Sequence, residues 1–180
     1  RRRKLIEEYR MPALALLRES RGIQVDAPEY VEALIAYYEG QYMKALSLTR
    51  QVFIQFPWMY EARTLEGNIL MALGEERLRR GDDVRAQQYY EEAGEALRIA
   101  MAMAESDTDV LKAEVDRIFG LVEVIERRED IPLTMIDQAL EASDRSIRAN
   151  PENVEAYLSR SEIYELLSIC LKREDKDPTG

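Results

Sequence analysis

Gly40-Gln41-Tyr42-Met43-Lys44-Ala45, running on to Pro57-Trp58-Met59-Tyr60-Glu61-Ala62, decides the fold. Gly40 is placed to end one helix, because glycine adopts the left-handed conformation of a C-terminal cap at little cost. From Gln41 to Phe56 the apolar or small residues Tyr42, Ala45, Thr49, Val52 and Phe56 recur at spacings of 3, 4, 3 and 4, one face of a second helix. Pro57 stops that helix. On the other side, Asp26-x-x-Glu29 with Pro28 in the first turn starts the helix that runs to about Glu39. A short turn forces the two helices antiparallel. Ala33 and Ala45, 12 residues apart, put a small side chain on each where they cross.

The same reading extends in both directions. Leu5 to Ser20 reads as a helix bent or split at Pro12 and ended by Arg21-Gly22. A longer helix covers about Trp58 to Arg80, with Ala62, Leu65, Ile69 and Leu73 as its apolar stripe. Gly81-Asp82-Asp83 supplies a cap and then an N-cap for a helix over roughly Asp83 to Glu105. Ser106 to Asp109 starts the next, whose Leu111, Val115, Ile118, Val122 and Ile125 are spaced 4, 3, 4 and 3. Glu129-Asp130-Ile131-Pro132 makes a turn into a helix from about Leu133 to Ala149. Asn150-Pro151 opens a last helix that fades after Leu171 into a polar tail, Lys172 to Gly180. The expectation is an all-α chain of about eight helices.

These hairpins repeat. Ala139 to Pro151 is 12 residues, as is Ala45 to Pro57, and Glu155-Ala156 repeats Glu61-Ala62. Ser161 follows Ala156 by five residues, as Gly67 follows Ala62. The pattern resembles the tetratricopeptide repeat, a 34-residue helix pair with small residues at the crossing and a proline closing helix B. The resemblance implies a tetratricopeptide-like α-α superhelix. Here its second and third hairpins are elongated, because Gly81 follows Gly67 by 14 residues where Gly40 follows Ala33 by 7. The partner of Gly67 across that hairpin is expected at Ala93-Gly94, with Ala86 as the alternative anchor. Gly120 and Ala139 serve as the small positions of the third pair. The expected organisation is one domain: an N-terminal helix over 1–25, repeats over 26–57, 58–106 and 107–150, a capping helix over 151–173, and a tail over 174–180.

Composition narrows the function. With 25 Lys and Arg against 35 Asp and Glu, the net charge is -10, which disfavours nucleic acid and anionic lipid. Arg1-Arg2-Arg3-Lys4 is a basic exception that reads as a solvated helix start. The chain has no histidine, which removes Ser/His/Asp and Cys/His catalysis and His-containing metal sites. No glycine spacing fits a phosphate loop. Glu75-Glu76 and Glu91-Glu92 are adjacent pairs whose side chains diverge on a helix, so they read as solvated faces. The lone Cys170 is expected to be a buried thiol beside Leu167 and Leu171. It suits a reducing, cytoplasmic setting. The longest apolar run, Met11 to Leu17, is too short for membrane insertion. No catalytic residue, cofactor or metal is expected. The chain opens on Arg1 rather than Met, as a piece of a longer protein would.

Tyr37-Tyr38-Glu39-Gly40, Pro57 to Ala62, Ala104-Glu105-Ser106-Asp107, Ala142-Ser143-Asp144-Arg145 and Ala149-Asn150-Pro151 together resemble the C-terminal repeat region of large bacterial serine/threonine protein kinases. That resemblance implies an interaction or regulatory scaffold with a kinase domain upstream, itself a possible partner. This chain carries no His-Arg-Asp, no Asp-Phe-Gly and no ATP-binding glycine loop. A self-associating or purely intramolecular structural module is the alternative.

By the repeat register the A helices line a concave groove. Its expected residues are Tyr30, Leu34, Tyr37 and Tyr38 from the first pair, then Thr64, Asn68 and Met71 from the second. The third pair adds Arg117, Leu121 and Val124, and the last helix Leu158, Glu162 and Glu165. The carboxylate clamp of some tetratricopeptide domains is not expected. Asn68 matches one clamp position, but Thr64 stands where a basic neighbour is needed, and Glu114 and Ile118 where Lys and Arg are needed. An apolar or aromatic groove with a mixed-charge rim, suited to an extended or helical peptide, fits better.

Overall fold

The computed structural model describes residues 11–19, 27–126 and 131–174. Among these are eight helices and no strand: α1 Met11–Glu19, α2 Pro28–Tyr38, α3 Tyr42–Gln55, α4 Tyr60–Arg79, α5 Asp83–Met103, α6 Thr108–Glu126, α7 Leu133–Ala149 and α8 Val154–Glu174. The start expected at Leu5, the Arg21-Gly22 stop, Asp26, the Glu129-Asp130 half of one turn and the end of the polar tail lie outside the described residues, as does the basic Arg1 to Lys4 segment.

Local chemistry sets the boundaries. Gly40 and Gly81 both have positive φ, 79° and 75°, where a Cβ would be strained. At each turn the chain closes back on the helix: Gln41 N–H donates to Ala36 O at 2.8 Å and Asp82 N–H to Arg77 O at 3.0 Å. The Asp82 side chain then caps α5 by accepting from Arg85 N. Asp107 caps α6 by accepting from Asp109 N at 2.9 Å and Val110 N at 3.2 Å. Asn153 does the same for α8. These caps refine the sequence boundaries. Trp58 sits outside α4, α5 stops at Met103, and α8 begins at Val154 rather than at Pro151.

Consecutive helices pack antiparallel, and α4 also touches both α2 and α6, so the A helices form an inner row. Helices α2 and α3 have 11 and 14 residues; α4 and α5 have 20 and 21, and α6 and α7 have 19 and 17. The second and third hairpins are thus the elongated ones.

The core is two clusters. One runs from Ala33, Ala36 and Ala45 through Ile69, Leu70 and Leu97 to Leu121 and Val124. The other joins Val115, Ile118 and Val122 of α6 to Ile136, Ala139 and Ala142 of α7 and Ile163 and Cys170 of α8. Cys170 is buried, packed near Leu166 and Leu167, while Leu171 is exposed.

In the long hairpin Gly67 meets Leu97 and Gly74 meets Tyr90, two pairs each equidistant from Asp82 in sequence. The partner of Gly67 is therefore Leu97, one turn beyond the expected Ala93-Gly94. Gly94 faces the Arg117 guanidinium of α6 instead. Ala86 and Ala93, the two competing anchors, are both fully buried on the same α5 face.

Candidate functional site

Two depressions lie along the inner row. The first, of about 290 Å³, is walled by Tyr30, Leu34, Tyr37 and Tyr38 of α2, Tyr60, Thr64 and Asn68 of α4, and Asp107, Asp109 and Val110 at the start of α6. The second, of about 780 Å³, is walled by Asn68, Met71 and Glu75 of α4, Asp116, Phe119, Gly120 and Glu123 of α6, and Glu162 of α8. Tyr37 and Asn68 line both, so the two depressions adjoin, and together their linings reach from α2 to α8.

The groove is aromatic at one end. Tyr37 packs against Tyr38 and Tyr42 with ring centroids 5.4 and 6.0 Å away. Tyr60 donates its hydroxyl hydrogen bond to Asp107 Oδ2 at 2.9 Å, tying the start of α4 to the start of α6. At the other end the floor is Tyr90 of α5. Its ring rests against Gly74 and Gly120; a Cβ at Gly120 would collide with it, and one at Gly74 would crowd it. Two helical glycines therefore let one B-helix tyrosine reach the concave side. Spacing arguments marked Gly120 as a crossing position and did not find Tyr90.

Eight expected groove residues line the depressions: Tyr30, Leu34, Tyr37, Tyr38, Thr64, Asn68, Met71 and Glu162. Four do not. Arg117, Leu121 and Val124 are buried, with Arg117 held in a bidentate pair by Glu114 at 2.7 and 2.8 Å. Leu158 is exposed and Glu165 also lies outside both depressions.

The cause of the α6 error is register. Counting from each helix's first residue, α4 reaches Gly67, α6 reaches Val115 and α8 reaches Ser161 at equivalent positions. Taking Gly120 as the anchor is five residues too far, a rotation of about 140° around the helix. With Val115 as the anchor, Asp116, Phe119 and Glu123 match Asn68, Met71 and Glu75, the residues that do line the groove.

Carboxylates dominate the charge of the lining. Glu61, Asp107 and Asp109 lie at the aromatic end, and Glu75, Asp116, Glu123 and Glu162 at the other. Lys112 pairs with Asp116 at 2.6 Å, and Arg79 is the one basic residue lining either depression. Burial, reinforced by Glu61, pushes the Tyr30 phenol up to about 12. The Asp107 hydrogen bond does the same for Tyr60. Burial, reinforced by Glu75 and Glu123, does so for Tyr90.

The sign of the resulting pH dependence follows. Unfolded phenols lose protons near pH ~10 while these three hold theirs to about pH 12, so the unfolded state binds fewer protons in that window and stability falls as pH rises through it. The melting temperature should be flat to about pH 9.5 and drop between about pH 10 and pH 12, in step with tyrosinate absorbance. A flat melting temperature across that window would show that these phenols ionise without constraint.

Among solved structures, the first TPR of Spaghetti (RPAP3), bound to the HSP90 peptide SRMEEVD, superposes with a TM-score of 0.54 at 16% identity, over 82% of this chain and 99% of that one. The fold is that of a tetratricopeptide-type solenoid. Two MamA structures also match this tetratricopeptide-type chain at a TM-score of 0.48. They are the RS-1 ArsTM double mutant, at 16% identity, and the 41-end form from Desulfovibrio magneticus RS-1, at 17% identity. Each covers 99% of this chain and 93% of its own. No family model matches the chain, and no curated protein matches it.

Among the described residues of the solenoid, no group of three or more His, Cys, Asp or Glu could hold a metal ion. No described helix is long and apolar enough to cross a membrane. What the groove can offer chemically is aromatic surface, amide and hydroxyl groups, and negative charge.

Proposed function

We propose that this chain is a non-catalytic interaction scaffold that holds a segment of a partner protein in its concave groove. The observation that carries this is that the two depressions adjoin at Tyr37 and Asn68. An extended segment needs such a run of neighbouring pockets, and a solenoid with short turns supplies one at little conformational cost. The first TPR of Spaghetti (RPAP3), similar in fold, is bound to the HSP90 peptide SRMEEVD, which supports a partner of the same class here. The repeat resemblance to bacterial serine/threonine kinases makes an upstream kinase domain the first partner to test, and the cytoplasm the expected setting.

The test is selection from a random peptide library displayed against the chain, repeated with Asn68→Trp. Because Asn68 lines both depressions, the indole should obstruct the track and weaken selected peptides by about tenfold or more, about 1.4 kcal/mol. Binders indifferent to Asn68→Trp would place recognition elsewhere.

A second reading, a self-associating module, is favoured by the last helix. Val154, Tyr157, Leu158, Tyr164 and Ile169 are all exposed on α8. An exposed apolar helix face of this kind is ordinarily covered by a further element or by another chain. Light scattering should then report a dimer that Leu158→Glu with Ile169→Glu converts to monomer. A monomeric parent chain would end that reading.

A further inference from the structure

The exposed face of α8 has a covered counterpart on both α4 and α6. Counting each A helix from its first residue, Tyr157, Ser161, Tyr164, Ser168 and Leu171 of α8 stand where α6 has Leu111, Val115, Ile118, Val122 and Ile125. The middle three correspond to Gly67, Leu70 and Gly74 of α4. In α6, Val115, Ile118 and Val122 are buried in one cluster with Ile136, Ala139 and Ala142 of the next helix. In α4, Gly67 receives Leu97 and Gly74 receives Tyr90 of the next helix. On α8 the same positions are open. Tyr157, Tyr164 and Leu171 are each close to half exposed, Ser161 and Ser168 are exposed, and so is Val154 one turn earlier. The face that α8 buries is the opposite one, Ala156, Ile163 and Cys170. The open positions from Val154 to Leu171 follow at spacings of 3, 4, 3, 4 and 3, a seam about 26 Å long.

Building on the self-association reading above, we propose that α8 docks antiparallel on α8 of a second copy of this chain, each covering on the other the positions that α5 covers on α4. The order of side-chain sizes along the seam is self-complementary. With the two helices related by an axis between Glu162 and Ile163, Tyr164 falls on Ser161 of the second copy, Tyr157 on Ser168, and Val154 on Leu171. Every tyrosine thus meets a serine. The α4–α5 hairpin already uses this arrangement: Tyr90 and Leu97, seven residues apart, seat on Gly74 and Gly67, also seven apart. Any helix that fills α8 in the same way needs two large residues seven apart to seat on Ser161 and Ser168, and α8 itself carries them as Tyr164 and Tyr157. Arg160 holds one of them in place: its guanidinium lies 5.7 Å from the Tyr164 ring centre and pairs with Asp144 of α7 at 3.2 Å. Leu158 and Ile169 border the seam on its groove side, where Thr64 and Glu75 stand on α4. A contact along one helix pair is at the small end of interface sizes, under about 1,200 Å², so the dimer should dissociate in the micromolar range.

Sedimentation equilibrium of the chain from about 1 to about 200 μM tests this. Two copies of net charge -10 repel, so the buffer holds about 0.15 M salt, which screens charges more than about 8 Å apart. The parent chain should be dimeric at the upper end of the range. Ser161→Tyr sets tyrosine against tyrosine and should raise the dissociation constant at least about tenfold. Tyr164→Ser sets serine against serine and should raise it about tenfold. The double substitution again sets large against small and should return the constant to within about threefold of the parent. Both positions are exposed, so helicity by circular dichroism and the melting temperature of the dilute monomer should be unchanged in all three, which separates docking from folding.

A parent chain that stays monomeric across the range overturns this proposal together with the self-association reading, and leaves the face to a helix of another protein. If Leu158→Glu with Ile169→Glu dissociates the dimer but Ser161→Tyr does not, self-association survives and the seam falls. A dimer lost with Ser161→Tyr and not recovered by the double substitution overturns the antiparallel pairing.

Discussion

Leu97→Ala is expected to lower the free energy of unfolding by about 2–5 kcal/mol, the range for deleting a fully buried leucine whose surroundings cannot collapse. Leu97 is 0% exposed, and its isobutyl group fills the space that the absent side chain of Gly67 leaves. The two backbones are held apart by the hairpin that also seats Tyr90 on Gly74, so α4 and α5 cannot close on the cavity without moving that contact as well. Gly67→Ala alone should also destabilise, because its Cβ would sit about 2.8 Å from Leu97 Cγ. The double substitution should be more stable than Leu97→Ala alone, since the added methyl refills part of the cavity and alanine gains about 1 kcal/mol over glycine in a helix. Urea unfolding of the four proteins measures the cycle. A cost below ~1 kcal/mol for Leu97→Ala would mean that the hairpin relaxes freely.

Arg50→Ala with Arg63→Ala should cost about 3–5 kcal/mol, because it strands a buried carboxylate. The Glu66 side chain is 4% exposed and is held by Arg50 Nε at 2.7 Å and by Arg63 at 2.5 Å. Arg63 also lies over the Phe53 ring at 4.0 Å, and Arg50 reaches on to Glu92, so the network joins α3, α4 and α5. Without the arginines the carboxylate would stand in a low-dielectric site with no counter-charge. Adding Glu66→Leu to the double variant should recover most of the loss, since an apolar replacement of a buried ion network is often near neutral. Chemical denaturation of the parent, double and triple variants checks both statements. A triple variant no better than the double would show that the arginine stems, rather than the charge pairing, carry the stability.

Much of this architecture could be read directly. The 3-4 spacing of Ala45, Thr49 and Val52 places them on one buried face, and all three are fully buried. Gly40 and Gly81 mark their turns because a positive φ is cheap only for glycine, and the close of α7 at Ala149 follows from Asn150-Pro151. On α2, which is short and anchored at its start, Tyr30, Leu34, Tyr37 and Tyr38 share one face by spacing and line the same depression.

The failures share one physical origin. A single glycine on a long helix is compatible with several faces, and only packing selects among them. Gly120 reads as a crossing residue by spacing, but it is small because Tyr90 lies against it, which turns Arg117, Leu121 and Val124 inward and Asp116, Phe119 and Glu123 outward. The Glu66 network was invisible for a related reason, since Arg50, Glu66 and Glu92 stand on three helices and nothing local links them.

The sequence by itself determined the helices, their turns and their alternation, because periodicity, caps and turn glycines act over a few residues. The tertiary structure alone decided which face each long helix turns to the groove, and so which charges line it. That choice depends on side chains from α5 meeting α4 and α6, contacts between residues far apart in the chain.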